Sequence, residues 1–94
     1  MDGATRQAFG PALRKLGKNI SKLRRDRGLS QITLAGRVDI TPEYLGKLER
    51  GVGNFPSLSV LFNLTRILEV DLGALFNGVE ALLPRFGEID TDKL

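Results

Sequence analysis

The sequence predicts an all-α fold of five short helices, and three observations carry that prediction. Apolar residues recur at three- and four-residue spacing through most of the chain. No stretch alternates apolar with polar residues as a half-buried strand would. The periodic segments are separated by Ser, Thr, Asp and Gly at positions suited to helix caps. At 94 residues, with 41% apolar and 27% charged, the composition fits one globular domain with one modest core and no separate sensor domain.

Residues 1–10 have no periodic apolar pattern and are expected to form a flexible arm, residues 1–11 with Pro11 included. From Pro11 a first helix is expected over about 12–27. Leu13, Leu16, Ile20 and Leu23 follow its spacing and Gly28 is placed to end it. Gly17 inside this helix costs about 1 kcal/mol relative to alanine, so fraying of the first turns is expected. Ser30 is the natural N-cap of a second helix that begins at Gln31 and carries Leu34, Ala35 and Val38 on one face.

Asp39-Ile40-Thr41-Pro42 then stops one helix and starts the next. Thr41 can cap, and Pro42 suits a first helical position because its missing N–H would have had no partner there. Leu45 and Leu48 share a face of this third helix, which closes at Gly51. Residues 31–50 thus read as a helix-turn-helix. Ala35 is the small side chain that lets the two backbones approach, and Asp39 stands where positive φ is often needed.

Gly51 to Pro56 is a loop by its glycines and proline, and Ser57 caps a fourth helix on which Leu58, Leu61, Leu64, Thr65 and Leu68 are expected to pack inward. Asp71 caps a fifth, carrying Leu72, Leu75, Phe76 and Val79 and followed by Leu82-Leu83. This last stretch is more apolar than a chain end requires, so Leu72, Leu75, Phe76, Val79, Leu82 and Leu83 are the expected dimerisation residues. The domain is expected to span residues 12–83, with a flexible acidic tail over 84–94.

Several functions are disfavoured. Without cysteine there is no disulfide or thiolate chemistry, and without histidine the commonest general base and metal ligand are missing. No acidic pair or partnered nucleophile stands out, so the chain is expected not to be an enzyme and to hold no metal or cofactor. No secretory signal or membrane-spanning run is apparent, and the cytoplasm is the default assignment.

The net charge is +3, unevenly distributed: residues 1–50 carry eleven Lys/Arg against five Asp/Glu, and residues 51–94 carry three against six. Arg14, Lys15, Lys18, Lys22, Arg24, Arg25 and Arg27 crowd one stretch opposed only by Asp26. Alone this could be a solvated helix face. Beside a helix-turn-helix it resembles a field facing phosphates.

The pattern Ile20…Leu23-Arg24…Gly28-Leu29-Ser30-Gln31…Leu34-Ala35, then Thr41…Leu45…Leu48-Glu49-Arg50-Gly51, then Pro56-Ser57-Leu58…Leu61…Leu68-Glu69-Val70…Leu75-Phe76 resembles the lambda-repressor-like DNA-binding fold of the Cro/C1-type, xenobiotic-response-element class. The resemblance spans about residues 13–77 and implies a transcriptional regulator that binds double-stranded DNA as a homodimer. It places Thr41, Pro42, Glu43, Tyr44 and Lys47 on the helix that enters the major groove, with Lys47 facing guanine and Glu43 facing cytosine. It places Gln31, Ser30, Arg24, Arg25, Arg50 and Gly51 at the DNA backbone, and pairs Arg24 with Glu49 as a structural salt bridge.

Other roles stay open for several of these residues. Glu43 and Lys47 stand four apart in the order that favours a simple ion pair, and Tyr44 can meet phosphate or only shield the turn. Gly46 either permits close approach to the second helix or to DNA, or merely weakens its helix. Stand-alone restriction-modification controllers and small phage or plasmid repressors have this form. A different class also fits: an antitoxin-like module that binds a partner protein through residues 72–86 and DNA secondarily.

Overall fold

A computed structural model describes residues 3–84, with side chains from residue 7 onward. The helices are α1 (Gly3–Asp26), α2 (Gln31–Val38), α3 (Pro42–Arg50), α4 (Leu58–Leu68) and α5 (Leu72–Leu75), followed by a 3₁₀ turn at Glu80–Leu82. No strand occurs among the described residues. The expected all-α architecture of five helices is the observed one.

The caps act as the sequence predicts. Ser30, Thr41, Ser57 and Asp71 each accept a hydrogen bond from the backbone N–H three residues on. Gly28 ends α1 at φ 68°, and Gly51 ends α3 at φ 70°. Asp39 and Glu69 close α2 and α4 in the left-handed region, at φ 59° and 57°. These stops matter because α2 and α3, at eight and nine residues, are too short to persist alone in water. Their stability comes from a shared core: Leu13, Leu16 and Ile20 of α1, Leu34, Ala35 and Val38 of α2, Leu45 and Leu48 of α3, Leu61, Leu64 and Leu68 of α4, and Leu75 and Val79 beyond them. Ala35 is fully buried, as its role between the two short helices requires.

Three expectations are corrected. Residues 3–10 are not an arm: α1 begins at Gly3 and runs through Pro11. The ring of Phe9 meets that of Phe55 edge-on at 5.8 Å and 86°, and this contact with the loop after α3 holds the turns preceding the proline. Gly17 does not mark fraying. It is buried where α1 crosses α3, and a Cβ there would collide with the carbonyls of Leu48 and Glu49. Leu58, expected to pack inward, stands 64% exposed at the first turn of α4.

The fifth helix is also shorter than its apolar spacing suggests, and one side chain accounts for it. Asn19, midway along α1, donates from Nδ2 to the carbonyls of Leu75 at 2.7 Å and Asn77 at 2.9 Å. In a continuing helix the Leu75 carbonyl would accept from the Val79 N–H. That N–H bonds the Phe76 carbonyl instead. Gly78, at φ 76°, then turns the chain into the 3₁₀ segment. The expected acidic tail, apart from Pro84, lies outside the described residues.

Substitution of Gly17 by alanine discriminates between helix propensity and packing. In an isolated helix it would stabilise by about 1 kcal/mol. Here the backbone of α3 stands where the methyl would go, so a net loss of about 1–3 kcal/mol is expected, read as a lowered midpoint in urea unfolding.

Candidate nucleic-acid interface

The local sequence of α3 divides its surface. Leu45 and Leu48 are buried against the core, and Pro42, Glu43, Gly46, Lys47 and Arg50 follow on the opposite side at helical spacing. With Gln31 from the start of α2, these five line a shallow depression open to solvent. Glu43, Lys47 and Arg50 are exposed there, and none forms an ion pair among the described residues. Glu43 and Lys47 are therefore not tied to one another, which leaves an acceptor and two cationic donors on one face.

Gly46 is at the middle of this face. It is not a contact with α2: among the described residues, and apart from the backbone of its own helix and its chain neighbours, the only atom within 4 Å of a Cβ built on it is a terminal guanidinium nitrogen of Arg50, at 3.1 Å. Arg50 therefore lies back along the helix over Gly46, in the direction in which helical side chains lean. Thr41 is exposed at the N-cap, where its hydroxyl accepts from the Tyr44 N–H at 3.0 Å. Tyr44 is half-buried at the edge of α3, next around the helix from Lys47.

The orientation of this face is set by a polar cluster behind it. Arg24 donates to Glu49 through Nε at 2.7 Å and through a terminal nitrogen at 3.0 Å, and its other terminal nitrogen donates to the Leu29 carbonyl at 2.8 Å. Gln31 donates to the same carboxylate at 2.8 Å. The Glu49 side chain is only 5% exposed. Hydrogen bonding to Glu49 raises the pKa of the Arg24 guanidinium further above its usual value, against the opposing effect of burial. One carboxylate thus links α1, α2 and α3, and the fork geometry of arginine fixes its angle.

Three residues expected at the DNA backbone have hydrogen-bond partners within the protein. Arg24 has all three nitrogens bonded within the protein, three of its five N–H donors, which gives it the structural role of the expected pair with Glu49. The Gly51 N–H bonds the Leu48 carbonyl at 3.1 Å, and the residue is buried against Arg14, so its amide does not face outward. The Ser30 hydroxyl accepts from the Thr33 N–H and donates to Thr33 Oγ1 at 2.9 Å, which leaves the exposed Thr33 as the hydroxyl able to donate outward. Thr33 has no place in the expected site. Its signal was the three-residue spacing from the cap.

Arg25 is exposed on α1, as are Arg14 and Lys18, and none of the three forms an ion pair among the described residues. Lys22 and Arg27 are partly neutralised by Asp26 and Glu69, each at 2.7 Å. Of the expected dimerisation residues, Leu75 and Val79 are core, 0% and 2% exposed, and cannot meet a second subunit. Leu72 and Phe76 are half-buried, while Leu82 and Leu83 are 42% and 41% exposed. Phe62, one turn beyond Leu58 on α4, is a further exposed apolar group, 54%, that the spacing did not single out.

Among the described residues no helix is long and apolar enough to cross a membrane. The profile of the Helix-turn-helix family matches residues 20–75. The chain is 41% identical over 59 residues to the uncharacterized HTH-type transcriptional regulator y4dJ of Sinorhizobium fredii, a match covering 62% of this chain and 75% of that protein. It is 39% identical over 66 residues to the HTH-type transcriptional regulator DdrOP3 of Deinococcus deserti, covering 70% of this chain and 50% of that one. Among solved structures, the restriction-modification controller protein C.AhdI from Aeromonas hydrophila matches with a TM-score of 0.64 and 38% identity, over 68% of this chain and 96% of its own. Fold and relatives agree: the chain belongs to the helix-turn-helix family of DNA-binding transcriptional regulators, of the Cro/C1 type.

Proposed function

We propose that the protein is a sequence-specific regulator, a repressor or autoregulatory controller in the cytoplasm, that binds a pseudo-palindromic operator as a homodimer and is not an enzyme. The observation that carries this reading is the exposed face of α3, where Glu43, Lys47 and Arg50 have no ion-pair partner among the described residues, on a helix held from behind by the Arg24–Glu49 pair. In a major groove, Lys47 would donate to guanine O6 and N7, and Glu43 would accept from cytosine N4. Pro42 and Thr41 offer apolar and hydroxyl contacts, and Tyr44 borders the same face. Gln31, with Arg25, Arg14 and Lys18 of α1, would meet phosphates and supply affinity and salt dependence. Two subunits would set their recognition helices about 34 Å apart. Leu82 and Leu83, and Leu58 with Phe62, are exposed apolar groups available to a subunit contact, besides Ile32 and Val52.

The same exposed groups favour one alternative, a module that docks on a different protein and binds DNA secondarily. Mass separates the two. The dimeric regulator should scatter light at micromolar concentration as about twice 10.3 kDa, and a monomer would favour the heterologous partner.

Selection of the purified protein against a random duplex library at about 150 mM salt tests the main reading. Enrichment of an inverted repeat with half-sites one helical turn apart is expected; no enrichment from a folded protein would count against it. Once a site is known, Lys47→Ala should cost about 1–3 kcal/mol on it and relax preference at one base pair. Arg25→Ala, by contrast, should weaken every duplex alike and reduce the slope of log affinity against log salt by about one.

A further inference from the structure

We infer that Gly46 and Arg50 form one specificity-determining unit, in which the missing side chain of Gly46 seats the Arg50 guanidinium on the recognition face so that it reads a guanine rather than clamping a phosphate. The inference rests on the DNA-binding reading above and deepens it.

Four observations support it. Pro42, Glu43, Lys47 and Arg50 are exposed on one face with the buried Gly46 between them, and Arg50 is at its C-terminal end, from which an outstretched side chain would run past the face. Helical side chains lean toward the N-terminus, so Arg50 reaches back over the residue four before it. That residue is a glycine, and a terminal guanidinium nitrogen lies 3.1 Å from the position its Cβ would take. No acidic group among the described residues pairs with Arg50. Among the described residues no atom of another element lies within 4 Å of that position, so the one group an added methyl would displace is the Arg50 guanidinium. A residue that weakens its helix without relieving a clash is explained by what it makes room for. The room is occupied by a planar five-donor fork, the group whose geometry matches guanine O6 and N7 in the major groove.

The test compares Arg50→Ala, Gly46→Leu and the double variant with the parent protein, by library selection and by affinity on the selected site and on duplexes altered at one base pair. Arg50→Ala should abolish preference at one guanine position, a loss of about tenfold or more in discrimination, with the rest of the selected motif intact. Gly46→Leu fills the seat and should abolish preference at the same position. The double variant should discriminate there no worse than Arg50→Ala alone, because the two substitutions remove one interaction. Thermal unfolding checks the fold independently: Gly46→Ala should raise the midpoint by about 4–8 °C, since only the tip of Arg50 must move.

Uniform weakening by Arg50→Ala on all duplexes, with the salt slope reduced by about one, would make it a phosphate contact and overturn the inference. So would additive losses in the double variant, or loss of preference at different positions in the two single variants. If the parent protein enriches no sequence, the regulator reading itself fails. If the parent enriches a motif that Arg50→Ala retains in full, only the present inference does.

Discussion

The bare Cα of Gly17 beneath the carbonyls of Leu48 and Glu49 is the constraint on which the rest of this fold depends. Two helix backbones in contact leave no latitude in their separation. With α3 held against α1, Glu49 comes within reach of Arg24, two turns further along the same helix, and Gln31 joins from α2. Apolar burial alone would tolerate small rotations of α3 about its axis. A buried carboxylate held by a forked arginine and an amide does not, because any rotation leaves charged groups desolvated and unmatched. The net stability such a cluster adds is small compared with the angular definition it imposes.

That definition matters because neither short helix could supply it. At eight and nine residues, α2 and α3 owe their existence to their caps and to the core beneath them. Thr41, Pro42 and Asp39 start and stop the helices, and Ala35 sets how closely they approach. Every element on the buried side of α3 is thus specified for position, and the exposed side is left without ion pairs among the described residues. An interaction surface built this way meets a ligand with little rearrangement of its own.

Local chemistry was legible in the sequence, and distant chemistry was not. The four side-chain caps, the stops at Gly28 and Gly51, the buried face of α2 and the Arg24–Glu49 pair could be read because each is marked by a residue type at a fixed offset or by the family pattern. The start of α1 could not, since Phe9 orders its turn only by meeting Phe55, forty-six residues on. The end of α5 was hidden for the same reason: its apolar spacing continues to Val79, and what stops the helix is Asn19 from α1. Gly17 and Gly46 look alike in sequence, each a glycine inside a helix. Only their surroundings separate them, backbone carbonyls in one case and a guanidinium in the other. Of the site, the exposed face of α3 was legible, while the internal engagement of Arg24, Ser30 and Gly51 depended on hydrogen-bond partners that spacing does not reveal.

Asn19 has a further consequence. It follows Gly17 by two residues, so the two point to nearly opposite sides of α1 at about 100° per residue. One side of this helix meets α3, and the other grips the segment through which the chain approaches Pro84. The C-terminal turn and the exposed face of α3 are thus anchored on different sides of one helix, so a change at either need not pass through the other.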